Sequence, residues 1–256
     1  MEEKTVNRTN SNSYTFIFAA VMVIVVGVVL AFTATSLQPI QNENVRKEKM
    51  QNILTTVGID SVDQDGSRVP LTRDLAPQYF KEYITESITL RADGSVDETV
   101  DAFKIDLSKE LRKPADEQFF PLYIADIQGE KYYIIPLRGK GLWDAIWGYV
   151  SLKDDINTIE GAVFDHKGET PGLGGEITQD WFRHRFDDEK VYDANGNFVG
   201  ISIVKGTAGE SKDDSKIDAI SGATITSEGV SDMISERLRH YLPYLEKQTD
   251  VNLANR

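Results

Sequence analysis

The chain is 256 residues long, carries a formal charge of −13 at pH 7 and contains no cysteine. That length allows a membrane segment plus one or two modest domains. The missing cysteine excludes disulfides, thiolate catalysis, zinc–thiolate sites and cysteine-held iron–sulfur clusters, and the acidic balance argues against nucleic acid and anionic lipid as partners.

The first feature along the chain is a charge-free stretch from residue 9 to residue 42. Within it Phe16 to Phe32 reads FIFAAVMVIVVGVVLAF, with nothing more polar than Gly27. Ser13, Tyr14 and Thr15 before it and Thr33 to Leu37 after it complete a transmembrane helix over residues 13–37, behind a tail of residues 1–12. A span takes about 20 residues. A cleaved signal peptide is the alternative, with FTATS as the cleavage site, but the apolar run exceeds the roughly 7–15 residues of a signal core. Lys4 and Arg8 precede the span and Arg46, Lys47 and Lys49 follow it, so the charge rule by itself favours neither orientation. Glu2, Glu3, Lys4 and Arg8 cancel, which leaves the whole net charge on the residues from 38 onward.

Residues 38–130 are expected to form a membrane-proximal α+β region. QNENVRKEKMQNILTTVGI predicts a helix leading from the membrane, with Val45, Met50, Ile53, Leu54 and Val57 near helical spacing. Residues 61–75 read as loop, 76–87 as a short helix, and ITLRADGSVDETV as two strands about an Asp-Gly turn. From Lys131 the pattern turns to strands: KYYIIPL, then AIWGYVSL after RGKGLWD, then NTIEGAVFD. HKGETPGLGGE interrupts them. EITQDWFRHRFDDE sets Ile177, Trp181 and Phe182 at helical spacing, and VYDANGNFVGISIV is a hairpin candidate about Asn195-Gly196. A last helix carries Val230, Met233, Ile234, Leu238, Tyr241 and Leu242 on one stripe, with Thr226 or Ser227 as N-cap and an end before Pro243. The fold class is α+β, with mostly antiparallel strands and packed helices. A second domain is expected over 131–246, with a tail at 247–256. The acidic clusters KDDSKIDA and FDDEK read as solvated faces. His166, His184 and His240 are isolated and show no metal-ligand spacing, so no metal is expected.

The stretch DAISGATITSEGV, residues 218–230, holds Ser221, Thr224, Thr226 and Ser227 just before the last helix. Capping accounts for one of these hydroxyls. Gly222 and Ala223 leave backbone N–H groups uncovered at a helix start, which suits a phosphate, and a spare hydroxyl there is placed to carry it as an ester.

DAISGATIT resembles the Asp-x-x-Ser/Thr-Gly-Ala-Thr/Ser-x-Thr motif of the covalent-flavin domains. These occur in the C subunit of the sodium-translocating NADH:quinone reductase and in the G subunit of the Rnf electron-transport complex. The resemblance implies that Thr226 is esterified by the phosphate of FMN, with Asp218, Ser221, Gly222, Ala223 and Thr224 as the recognition frame. HKGETPGLG, His166 to Gly174, is similar to the family's His-x-x-Glu-Thr-Pro-Gly-Leu-Gly loop, and GKGLW, Gly139 to Trp143, to its Gly-x-Gly-Leu-Trp turn. Gly141, Leu142, Trp143, Glu169, Thr170, Gly172, Leu173 and Gly174 then become cofactor-site candidates. Trp143 and Leu173 suit the faces of the flavin ring. Gly172 and Gly174 would admit backbone N–H groups to it. Glu169 and Thr170 would bond its polar edge or ribityl chain.

What this family does implies the rest. A flavin transferase would attach the FMN from FAD, so the chain needs no catalytic residues of its own. The chain would relay electrons toward quinone while sodium leaves the cell, as a single-pass member of a six-subunit complex in a bacterial inner membrane, with its FMN domain on the periplasmic side. It has no dinucleotide fingerprint for NADH and its one span has no charged residue to carry ions. The length before residue 131 favours the sodium pump over the Rnf complex. A membrane-tethered flavin- or phosphate-binding regulatory domain without electron transfer is the alternative of a different class.

Overall fold

The computed structural model describes residues 12–59, 61–62, 68–206, 211–212 and 214–248. The chain divides into two units, Met1–Arg46 and Lys47–Arg256. Helix α1, Asn12–Thr55, begins in the first and ends in the second.

In the first unit α1 is apolar all round, with a mean hydropathy of 2.9 over its most apolar 18-residue window and none of that window buried by protein. A helix with no polar face and no protein cover is one that lipid covers. Thr33 and Thr35 donate their hydroxyls to the carbonyls four residues back, both at 2.8 Å, so neither presents an unmet polar group to hydrocarbon. The helix does not stop after the span: it continues through Pro39, where the expected anchor and the expected following helix are joined in one element.

The second unit opens on the last turns of α1, where Met50, Ile53 and Leu54 are buried. Strands β1 (Ser61–Val62) and β2 (Arg68–Val69) pair antiparallel in the segment expected to be loop; residues 63–67 lie outside the described residues. Helix α2, Ala76–Tyr83, is shorter than the expected 76–87 because Ile84 turns extended and opens β3, Ile84–Arg91. Ile84 and Thr85 are β-branched and take a pleated strand readily, and β3 pairs with β5 from Ile84 onward. The Asp-Gly turn leads to β4 (Val96–Asp97) as expected.

After a 3₁₀ turn at Ala102–Lys104 and the short helix α3 (Leu107–Glu110) come β5 (Phe119–Ile127), β6 (Glu130–Lys140), β7 (Ala145–Lys153) and β8 (Ile159–His166). They form one sheet in the order β4-β3-β5-β6-β7-β8, antiparallel throughout, which crosses residue 130 without a break. Helix α4 (Asp180–Arg183), the parallel pair β9 (Ser202–Val204) and β10 (Lys216–Asp218), and the long helix α5 (Thr224–Gln248) complete the described chain.

The sheet is covered on both faces, which explains why β5 and β6 read as continuous apolar runs and not as alternating ones. Phe120, Leu122 and Ile124 of β5 and Tyr133, Ile135 and Leu137 of β6 join Val230, Met233, Ile234, Leu238, Tyr241 and Leu245 of α5 in the main core. The intervening Tyr123, Ala125, Tyr132 and Ile134 pack on Ile53 and Val57 from the other side. Tyr241 also donates its hydroxyl to the Pro121 carbonyl at 3.0 Å, which pins α5 across β5.

Four further expectations change. α5 begins at Thr224, ahead of both proposed caps, and runs through Pro243 to Gln248, because Tyr244 and Leu245 extend its buried face. The hairpin about Asn195-Gly196 contracts to a single bridge, Tyr192 to Phe198: Asp193 accepts the N–H groups of Asn195 and Asn197, both at 2.9 Å, and holds a tight turn while Ser202–Val204 pairs elsewhere. Glu189 of FDDEK is buried, not solvated, and takes Lys212 at 3.2 Å. Ile177 and Phe182 are buried as the spacing implies, but Trp181 is exposed under the Arg185 guanidinium, 4.8 Å from its ring.

Candidate functional site

Three stretches far apart in the sequence meet at the start of α5. β10 ends at Asp218, whose carbonyl accepts from Arg185, and the chain then turns through Ser221 and Gly222 into the helix. Gly222 has φ +78, a left-handed conformation that glycine adopts without penalty. Ala223 N–H bonds the Ile220 carbonyl at 3.0 Å, and Ser227 closes the loop from the other side by accepting the Ile220 N–H at 3.1 Å. Ser227 therefore ties the first turn of α5 to the strand before it, and does not act as its N-cap. Ser221 and Gly222 are exposed, Ala223 is buried and Thr224 half-buried.

Thr226 points inward and is 1% exposed. Its hydroxyl donates to Glu169 Oε2 at 2.6 Å, while Glu169 Oε1 accepts the Trp143 N–H at 2.9 Å. One buried carboxylate thus joins the helix start, the 166–174 loop and the 139–143 turn. The resemblance puts Glu169 at the flavin's polar edge or ribityl chain; here both of its oxygens are engaged within the protein. Burial works against its charge, but hydrogen bonds from Thr226 and from the N–H groups of Trp143 and Asp144, with His166 close by, outweigh burial and hold the carboxyl below its ordinary range. His166 supports it further by accepting the Glu169 N–H on Nδ1 at 3.1 Å.

The glycines of the two loops leave room for this contact. A Cβ on Gly141 would lie 2.5 Å from Glu169 Oε1, and one on Gly174 would lie 2.6 Å from Thr226 Oγ1 and collide with Glu169 Oε2. Gly174 is buried against Thr226, so the space it opens belongs to that hydroxyl and not to an incoming ring. Gly172 has φ +77 and its N–H is taken by Glu176 Oε1 at 3.0 Å. Thr170 is exposed, and its carbonyl receives Leu173 N–H and Gly175 N–H at 3.1 and 3.0 Å. Leu173 lies against Gly222, where a Cβ would come within 2.9 Å of its Cδ2.

Around this buried centre stands an exposed apolar rim: Trp143 is 67% exposed, Leu142 46%, Leu173 41% and Ile225 57%. Four large apolar side chains are thus open to solvent beside a buried polar centre.

Three contributors are not among the site residues expected from the sequence, although His166 opens one of the motifs. Asp144 receives the Gly141 N–H on its carbonyl at 2.8 Å and pairs with Lys167 at 2.9 Å, which locks the turn against the loop. His166 is the second. Gly229 is the third: a Cβ there would collide with the Lys140 carbonyl, so its absence lets α5 lie on the end of β6. A glycine inside a helix costs about 1 kcal/mol relative to alanine, which is the one sequence signal that could have singled it out.

Fold and site define a protein with an apolar N-terminal helix and a flavin-type binding domain, and a family described as the FMN-binding domain matches residues 141–239. The chain is 30% identical to the C subunit of the Na(+)-translocating NADH-quinone reductase of Vibrio campbellii, over 90% of this chain and 92% of that protein. It is 29% identical to the corresponding protein of Pseudomonas aeruginosa, over 88% and 90% respectively. The crystal structure of the same reductase component from Parabacteroides distasonis superposes with a TM-score of 0.71 at 35% identity, covering 82% of this chain and 96% of that one. The chain belongs to the family formed by the C subunits of Na(+)-translocating NADH-quinone reductases. It is accordingly a flavin-containing, membrane-anchored component of an oxidoreductase complex, with FMN as its cofactor.

Proposed function

We propose that the chain carries FMN covalently, as a phosphoester on Thr226, and relays electrons toward quinone in a sodium-exporting NADH:quinone reductase of six subunits. The observation that carries this reading is the junction at Glu169, which holds the Thr226 hydroxyl in the centre of the three motifs, under the exposed rim of Trp143 and Leu173. The residues suit the group: a hydroxyl at a helix start for its phosphate, backbone made approachable by glycines, and apolar side chains for its ring. FMN held there supplies the one-electron transfer chemistry that the protein's own side chains lack.

The chain's residues have separate tasks in this scheme. Thr226 retains the cofactor by its tail and leaves the redox ring unmodified. Trp143, Leu142 and Leu173 exclude water from one region of it, and Asp218, Ser221, Gly222, Ala223 and Thr224 present the threonine to a flavin transferase that uses FAD. Thr170 and Gly172 line the outer side of the loop. The FMN domain, residues 131–246, lies on the periplasmic side of a bacterial inner membrane, joined through the 38–130 region to the span at residues 13–37; the other members of the complex are its partners.

The test is in-gel fluorescence of the denatured protein purified from its native membrane, with mass spectrometry of the peptide covering residues 217–237. A mass increase equal to FMN minus water on Thr226, absent in Thr226→Ala, is the expected result. An unmodified peptide from cells that possess a flavin transferase would return Thr226 to a purely structural role.

A further inference from the structure

We propose that Glu169 is the base that accepts the proton of Thr226 when the flavin phosphoester forms, so that the chain being modified brings its own proton acceptor. This inference rests on Thr226 as the attachment residue and concerns how that residue is activated. A threonine hydroxyl is a weak nucleophile until a neighbouring base takes its proton. Glu169 Oε2 stands 2.6 Å from Thr226 Oγ1, already in the acceptor position that a general base must occupy.

Two features separate this arrangement from an ordinary buried hydrogen bond. The carboxylate is held independently of the threonine, because its other oxygen accepts the Trp143 N–H and its own N–H rests on His166 Nδ1. It therefore stays in place when the hydroxyl changes partner. The proton-accepting position is also already filled from within the protein: Thr226 is 1% exposed and Glu169 4%, and Gly174 leaves no more space on that side than the pair itself fills. A base supplied by another protein would have to displace Glu169 to reach the same proton. Around it stand the His166 imidazole, which accepts on Nδ1, and, in the adjoining turn, the Asp144–Lys167 ion pair at 2.9 Å.

Atoms and electrons balance in this step. Thr226 Oγ1 forms a bond to the phosphorus of the FMN half of FAD, the bond from that phosphorus to the bridging oxygen breaks, and AMP leaves with the electron pair. The hydroxyl proton passes to Glu169 Oε2. Nothing is oxidised or reduced. A neutral Glu169 then relieves the repulsion that a carboxylate would feel beside a new phosphodiester, and it can donate back to the ester oxygen.

The test measures the rate of FMN incorporation into the 217–237 peptide of the full-length chain, with flavin transferase and FAD, for wild type and Glu169→Gln across about pH 6 to 9. Glutamine keeps the size and a hydrogen bond but cannot take a proton. The wild-type rate should exceed the variant's by on the order of 100-fold or more. That ratio should shrink as pH rises and hydroxide substitutes for the missing base; the transferase's own titration is common to both arms and cancels. Equal rates, or a large ratio that does not change with pH, would overturn the proposal, the second because it marks a positioning residue only. If circular dichroism shows that Glu169→Gln does not fold, Glu169→Asp takes its place. It draws the base back by one methylene and should load roughly 10-fold or more slower with the wild-type pH profile, whereas wild-type speed there would overturn the assignment. A wild-type chain left unmodified by a transferase that loads a control acceptor would overturn the Thr226 reading itself, and the base with it.

Discussion

Gly94, in the turn between β3 and β4, and Gly174, beside Thr226, are glycines for different reasons. Gly94 has φ +77, and a Cβ there would lie 2.8 Å from the backbone of Pro243 and Tyr244, so both conformation and the close passage of α5 demand it. Gly174 is not among the residues of positive φ; what it supplies is volume for Thr226 Oγ1 and Glu169 Oε2. The first glycine serves the fold and the second serves the site, and the two roles are separable by experiment.

The largest effect expected is on that separation. Gly174→Ala should slow FMN incorporation on the order of 100-fold, because a displacement of about 1 Å at a reacting group costs that much. Its stability should fall by only about 1–3 kcal/mol, as for other small-to-large changes in a packed site. Gly94→Ala should do the reverse. Left-handed strain and contact with the α5 backbone should lower stability by about 2–4 kcal/mol, read in thermal or denaturant unfolding, with incorporation unchanged. If Gly94→Ala also abolished incorporation, fold and site would be coupled regions and not independent ones.

A smaller change tests the loop between them. Ser227→Ala leaves the buried Ile220 N–H without its acceptor and should cost about 1–3 kcal/mol in unfolding experiments while Thr226 still accepts FMN. Trp143→Ala and Leu173→Ala sharpen the site side. Both residues are exposed, so stability should move by less than about 0.5 kcal/mol. The flavin potential in a redox titration should shift, and an unchanged potential in both would remove these side chains from the ring's surroundings.

The smallest effect is the pH dependence of the unmodified chain. Glu169 is held below its ordinary range, so the stability it adds is present above the glutamate reference near pH 4.3 and is lost as pH falls through its lower folded value. Acid unfolding should therefore be steeper in wild type than in Glu169→Gln below about pH 4.

Much of the fold is legible in the residue pattern. The span, the strands from Lys131 to His166 and the stripe of α5 are legible because lipid and the two covered sheet faces ask for apolar runs and the helix face for a 3.6-residue repeat; β5, Phe119–Ile127, in the same sheet, is not among the expected elements. Boundaries are less legible: α2 stops at Tyr83 because β3 is claimed by pairing with β5, and α5 passes Pro243 because Tyr244 and Leu245 have a core to enter. Local propensity carries no information about either partner.

Membership of the candidate site is legible in the residue order, since the three motifs name Thr226, Glu169 and Trp143 together. What these residues do to one another comes from folding in three dimensions. The separation of 57 residues between Glu169 and Thr226 is closed by the packing of α5 against β6 and the loop after β8. A carboxylate aimed at a hydroxyl is a matter of angstroms that no spacing along the chain encodes.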